Sequence, residues 1–299
     1  MSQEQGAQNG GARMIRIKGL CAVYGEVWYE ERPPDDGVDI ALYRQRSTPI
    51  AGGRCVPFSS LVSDLTVDGE AILAQFSKEC RYEIRRADNK DGLEMDFLVE
   101  PMERLEEFCQ FYESFAREKA LGPLGRPWLA SACNAGRLVL SAAVQGSEIL
   151  VWHAYLVAGK TARLQHSTSH FRNRSSAQRA LVGRANRWLH WRDMARFKEM
   201  GMERYDWGGL FEDESAPERA GINEFKRGFG GRHERTYDCT VPLTFRGRIW
   251  LPVRDAWREL SRMCRAWGSA RSREARGTSV EPQTPAVLST ANGRSDSSL

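Results

Sequence analysis

The sequence predicts an α/β fold of the α+β kind: a mixed, mostly antiparallel sheet with helices on both faces, preceded by a small β-rich section. Three observations predict it. Strand-like runs at 137–145, 148–157 and 161–168 are joined only by Gly146-Ser147 and Ala158-Gly159-Lys160, as in an antiparallel meander. Apolar residues at helical spacing flank that meander on both sides. The front of the chain alternates instead in short runs broken by turn residues.

Taken in order, residues 1–13 form a Gln/Gly-rich tail with too few large apolar groups to offset ordering entropy. Residues 14–66 make the β-rich section. There Glu26-Val27-Trp28-Tyr29 and Val38-Asp39-Ile40-Ala41-Leu42-Tyr43 are broken by Pro33-Pro34-Asp35-Asp36-Gly37 and Gly52-Gly53. The main domain, 67–267, starts with a helix: Leu73, Phe76, Cys80, Ile84 and Ala87 recur at helical spacing until Asp91-Gly92 stops them. A strand over 93–100 follows. A second helix over 102–121 carries Leu105, Phe108, Tyr112 and Phe115 on one face and ends at Gly122-Pro123. After the meander come a long helix over 176–200, a strand over 203–207, a short helix around Lys226, a strand over 233–241 and a final amphipathic helix over 250–267. Residues 268–299 read as a second disordered tail.

Composition sets outer limits. With 299 residues, 41% hydrophobic and 27% charged, the chain can bury a large core. No apolar run approaches the roughly 18 residues of a membrane span, and the first dozen residues hold no export signal, so a cytoplasmic protein is expected. The seven cysteines are scattered without a C-x-x-C pair and read as reduced, mostly buried small hydrophobes. The net charge of +4 is modest, but 172–198 carries eight basic residues against one acid, Asp193. That run is either a solvated helix face or a surface for a phosphate-rich ligand such as a nucleotide sugar, coenzyme A or tRNA.

One lysine stands out. If 221–228 is helical, Ile222, Phe225 and Phe229 share an apolar stripe, and Lys226 falls on it. Either its stem covers apolar surface while the ammonium reaches water, or the ammonium faces a cleft and meets negative charge on a substrate.

Three motifs now combine: Arg81-Tyr82-Glu83-Ile84-Arg85-Arg86-Ala87 followed by Gly92; Trp191, Ala195 and Gly201 leading to Tyr205-Asp206-x-Gly208; and Phe225-Lys226 before Phe229-Gly230-Gly231. Together, over about 63–243, they resemble the FemAB family of aminoacyl and acyl transferases, which have the fold of GNAT acetyltransferases. The resemblance implies a GNAT-like sheet and transfer of an acyl or aminoacyl group to an amine, typically on a peptidoglycan precursor and from aminoacyl-tRNA. It also implies that Lys226 stabilises charge developing at the reacting carbonyl. The chain departs from the family in its first half, where 14–66 is too short for a full lobe and reads as a reduced one. The usual GNAT pyrophosphate loop is replaced by Arg172-Asn173-Arg174-Ser175-Ser176-Ala177, which offers helix N-terminal amides and two arginines to a donor phosphate.

The expected site follows. Lys226 and Asp206 are the catalytic candidates, Asp206 as base or amine-positioning group, with the alternative that it caps the following loop or pairs with an arginine. Amides near Gly208 and Gly209 would assist an oxyanion. Phe225, His166, Trp207, Gly208 and Gly209 would contact substrate. Arg172, Arg174, Ser175 and Ser176 would hold the donor. No metal site is expected: His166 and His170 lie at a strand end, where i,i+4 spacing does not bring side chains together. The acidic Glu212-Asp213-Glu214 reads as a solvated turn. No permanently bound cofactor is expected, only acyl-CoA or aminoacyl-tRNA as co-substrate, with an amine-bearing cell-wall or sugar-nucleotide acceptor as partner. The competing reading is a non-catalytic GNAT-like binding or scaffold module in surface-polysaccharide assembly.

Overall fold

The computed structural model describes residues 14–29, 37–119, 121–171 and 174–257. Alternation at the front of the chain builds β1 (Ile15–Lys18), β2 (Val23–Trp28), β3 (Ile40–Arg46) and β4 (Arg54–Asp64). Two helices follow, α1 (Gly69–Ala74) and α2 (Lys78–Lys90), then β5 (Leu93–Leu98). A 3-10 turn at Pro101–Arg104 leads into α3 (Leu105–Lys119), and α4 (Arg126–Asn134) precedes the meander of β6 (Leu138–Gln145), β7 (Glu148–Ala158) and β8 (Thr161–Ser169). The remainder is α5 (Ser176–Glu199), β9 (Arg204–Gly209), α6 (Pro217–Arg227) and β10 (Arg232–Pro242).

Among the described residues ten strands join one sheet in the order β1-β2-β3-β10-β4-β9-β8-β7-β6-β5. The expected mixed, mostly antiparallel sheet is present, and its parallel pairs are β2 with β3 and β8 with β9. Residue 66 marks no break in it: β10 pairs with both β3 and β4, and β4 pairs with β9. Period-two alternation in β6 and β7 sorts side chains between the faces. Val139, Ala143, Val151 and Tyr155 pack with α2 and α5. Leu138, Leu140, Ala142, Trp152 and Ala154 pack with α3 and α4.

Three local expectations change. The single helix after Asp68 is two, because Ser77 starts a new one: its side chain accepts the Cys80 amide at 3.1 Å while its own amide leaves to Gly228 O at 2.8 Å. The freed carbonyls of Ala74 and Phe76 accept the Arg81 guanidinium. Helix α4 was not anticipated; it is short and follows Gly122-Pro123, although Pro127 in its first turn suits a helix start. The cysteines need a larger correction. Cys55 and Cys239 are bonded, because the β4/β10 register sets them directly opposite each other. They lie 184 residues apart, so spacing along the chain carried no sign of the pair.

Residues through Trp250 form one compact unit and Leu251 begins another. Of the helix expected at 250–267, residues 250–257 are helical and the rest lies outside the described residues, as do both tails. Among the described residues no helix is long and apolar enough to cross a membrane.

Candidate active site

Strands β8 and β9 run parallel but pair only over Thr161–Arg163 and Arg204–Asp206. Beyond that point they part. The cause is local to Asp206, whose Oδ1 accepts the Gly208 amide at 2.8 Å and turns the end of β9. Gly208 takes φ +73, and a Cβ there would stand 3.0 Å from Leu164 O, so the turn needs glycine. Arg163 fills the wedge: its Nε lies 3.7 Å from Asp206 Oδ2, and its guanidinium stands 5.1 Å from the Trp28 ring and 5.5 Å from Phe58. Tyr29 donates to Asp206 Oδ2 at 3.1 Å; burial, then the Asp206 charge, holds its hydroxyl well above the ordinary range.

The parted strands open a cavity of about 750 Å³. Leu164, Gln165 and Ser167 of β8 face it from one side, and Trp207, Gly208 and Gly209 of β9 from the other. Asn186 and His190 of α5 and Phe225 and Lys226 of α6 complete the wall used below.

Helix α6 starts at Pro217, four residues before the expected start, because a proline in the first turn is already set for helix. Its pose is fixed at both ends. Asn223, fully buried, exchanges two hydrogen bonds with the Phe211 backbone, at 2.8 and 3.1 Å, and pins the loop that leaves β9. Phe229 packs 4.5 Å from Trp207 and 5.1 Å from Phe76, and the left-handed Gly230 and Gly231 then bring the chain against Gln75 O and Val62 O. Between these anchors Lys226 points its ammonium at Gly209 O, 2.6 Å away. Burial lowers its pKa to about 8; Asp206 opposes that shift and Arg163 adds to it. Ile222, expected on the buried stripe, is exposed but also lines the cavity.

Of the residues expected from the sequence, Lys226, Phe225, Trp207, Gly208 and Gly209 meet at this cavity. Asp206 does not line it; its carboxylate is held by Gly208, Tyr29 and Arg163. The Gly208 amide, expected to assist an oxyanion, is therefore already engaged. His166 faces the α3 side, 4.8 Å from the Tyr112 ring, and burial pushes its pKa down to about 4. Arg174 pairs with Glu148. Ser175 caps α5 through a reciprocal pair with Gln178, and Ser176 opens the helix on an exposed turn. Arg172 lies outside the described residues. Along α5, Arg184 binds Asp91, Arg187 binds Glu83 and Arg196 binds Glu199, so much of the basic run is spent within the fold.

One polar cluster was missed. His153, Tyr155, His190, Asp193 and Tyr205 are all fully buried behind the cavity. Asn186, His190 and Asp193 sit on the stripe of α5 that also carries Val182, Ala185, Leu189 and Phe197, and that misplaced polarity was the available signal. His153, His190 and Asp193 bring ring nitrogens and a carboxylate oxygen within 4.8 Å of one another. His153 Nε2, Asp193 Oδ2 and His190 Nδ1 are engaged with Asn186, Tyr155 and Tyr205, whereas His190 Nε2 and Asp193 Oδ1 are buried without a partner.

No family model and no curated protein matches this sequence. Solved structures do. FemX is 12% identical with a TM-score of 0.50, the match covering 60% of this chain and 61% of that one. L-PGS from Bacillus licheniformis is 14% identical at a TM-score of 0.45, covering 76% and 83%. A GCN5-related N-acetyltransferase-like protein from Streptococcus suis 89/1591 is 10% identical at 0.29, covering 75% and 82%. At such identities the likeness is one of fold. The mixed, mostly antiparallel sheet expected from the sequence is the fold found, and FemX shares it over 60% of this chain.

Proposed function

We propose that the cleft between β8 and β9 transfers an acyl or aminoacyl group from acyl-CoA or aminoacyl-tRNA to an amine of a cell-wall precursor or amino sugar. The observation that carries this reading is Lys226: an ammonium in a largely apolar setting, its head held over the point where the strands part. Attack of an amine on a thioester or ester carbonyl places negative charge on the carbonyl oxygen. A preorganised cation in a water-poor cleft stabilises that charge far more than it would in water. The fold shared with FemX supports the same reaction class. Lys119, Arg163 and Lys226 give the cavity a cationic lining suited to a phosphate-bearing donor. The ion pairs that occupy α5 favour a compact acyl-CoA over the broad footprint of tRNA.

Incubation with labelled acyl-CoA, then aminoacyl-tRNA, against a panel of amino-sugar nucleotides tests the proposal. Acceptor-dependent label transfer that is lost in Lys226→Ala is expected. Failure with every donor, together with tight capture of a partner protein, would favour the non-catalytic scaffold instead.

A further inference from the structure

The buried cluster has a direction. Asp193 Oδ2, as a carboxylate, only accepts hydrogen bonds, and it takes them from Tyr155 Oη at 2.6 Å and His153 Nδ1 at 2.7 Å. Tyr155 has then committed its proton, so its oxygen accepts from the Tyr205 hydroxyl, 2.7 Å away. Tyr205 has in turn committed its own. The remaining contact, His190 Nδ1 to Tyr205 Oη at 2.7 Å, therefore carries a proton on the histidine nitrogen. A neutral imidazole with its proton on Nδ1 has a bare lone pair on Nε2, and Nε2 is the ring atom of His190 with no partner. The opposite tautomer would reverse both hydroxyls and turn a Tyr155 lone pair toward Asp193, leaving a buried hydrogen bond unmade.

We infer that His190 is the base that accepts the acceptor amine's proton, with Asp193, Tyr155 and Tyr205 as positioning residues that select its tautomer; this rests on the acyl-transfer reading above. His190 belongs to the wall that also carries Lys226 and Phe225, and its ring stands 5.7 Å from that of Phe225. In this structure its ring has no solvent-exposed surface, so a substrate in the cavity reaches Nε2 only when the wall around it shifts. In the reaction the amine lone pair attacks the carbonyl carbon, forming the C–N bond and moving the C=O π pair onto oxygen beside Lys226. The new N–H⁺ gives one proton to His190 Nε2. Collapse restores C=O and breaks the C–S or C–O bond, and the leaving thiolate or alkoxide takes that proton back, returning His190 to neutral. Burial first, then the charges of His153, Lys226 and Arg187, holds His190 well below the ordinary histidine range, so it is neutral and ready at pH 7. The groups facing it are His153 of β7, Tyr205 of β9, Lys226 of α6, and Arg187 and Asp193 of its own helix.

The test compares wild type, His190→Gln, Tyr205→Phe and Lys226→Ala in the labelled-transfer assay, reading kcat, donor KM, Tm and pH profile. Expected for His190→Gln is a fall in kcat of about 10²–10⁴-fold with donor KM unchanged, and loss of an acidic limb that in wild type lies well below the ordinary histidine range. Hydroxylamine, which depends less on a base, should narrow that deficit. Tyr205→Phe should lower kcat while donor KM stays near wild type, at a stability cost like that of Tyr155→Phe, and it covers the case of a misfolded His190 variant. If wild type transfers and Lys226→Ala does not, yet His190→Gln and Tyr205→Phe keep activity within threefold, this inference fails and the acyl-transfer reading stands. If wild type transfers nothing, that reading itself fails. Loss of activity on chelation with recovery on added zinc would also overturn the assignment of His190 as a base.

Discussion

At Lys226 the ordinary rule for a helical stripe is broken, and the break has measurable consequences. Its pKa is lowered to about 8 by burial, so the folded chain binds fewer protons than the unfolded one between about pH 8 and the ordinary lysine value of 10.5. Stability contributed at this site therefore rises with pH through that window. Activity runs the other way, because the ammonium needed at the oxyanion is lost as pH rises through about 8. Lys226→Met should lower kcat by about 10²–10³-fold, as removal of an oxyanion donor does, while its Tm, measured by calorimetry, stays at or above wild type. A large drop in Tm with activity retained would make the lysine structural. Tyr155→Phe tests a different residue: it removes the proton that Asp193 accepts, and should cost about 1–3 kcal/mol in denaturant unfolding.

Elements were legible where one strong local signal acted. The meander, α5 and β9 follow from turn residues and periodicity, and Phe225, Lys226, Trp207, Gly208 and Gly209 come together because short segments carry them to one cleft. What sequence could not show depends on partners distant in the chain. The break between α1 and α2 is made by Gly228 O, the disulfide by the β4/β10 register, and the placement of Asp206 by Tyr29 and Arg163. The buried relay crosses β7, α5 and β9, so no window along the chain contains it. The joint after α6 gives an element-scale prediction. Gly230 has φ +70 and leaves a Cβ only 2.7 Å from Gln75 O, so Gly230→Ala should lower stability by roughly 1–3 kcal/mol. The same variant should lower transfer, since the turn holds α6 and Lys226 in place. An unchanged midpoint in urea would show that the turn relaxes freely.

Across the whole molecule, one sheet joins the front strands to the strands that hold the cleft, and Cys55–Cys239 ties β4 to β10 within it. Denatured protein should therefore show two more reactive thiols after reduction than before it. Closing so long a loop typically adds about 2–4 kcal/mol, so reductant should lower Tm; the same thiol count with and without reductant would contradict the bond. Trp28 of β2 and Phe58 of β4 flank Arg163 at the root of the cleft, so the front strands support the site as well as the sheet. On the proposed reading this cleft transfers acyl groups through Lys226. Its most direct test is single-turnover transfer from a labelled donor to an amine acceptor by wild type and Lys226→Met at pH 7. Rapid, acceptor-dependent transfer by wild type and a loss of at least about 10²-fold in the variant are expected. Equal transfer by both proteins would contradict it.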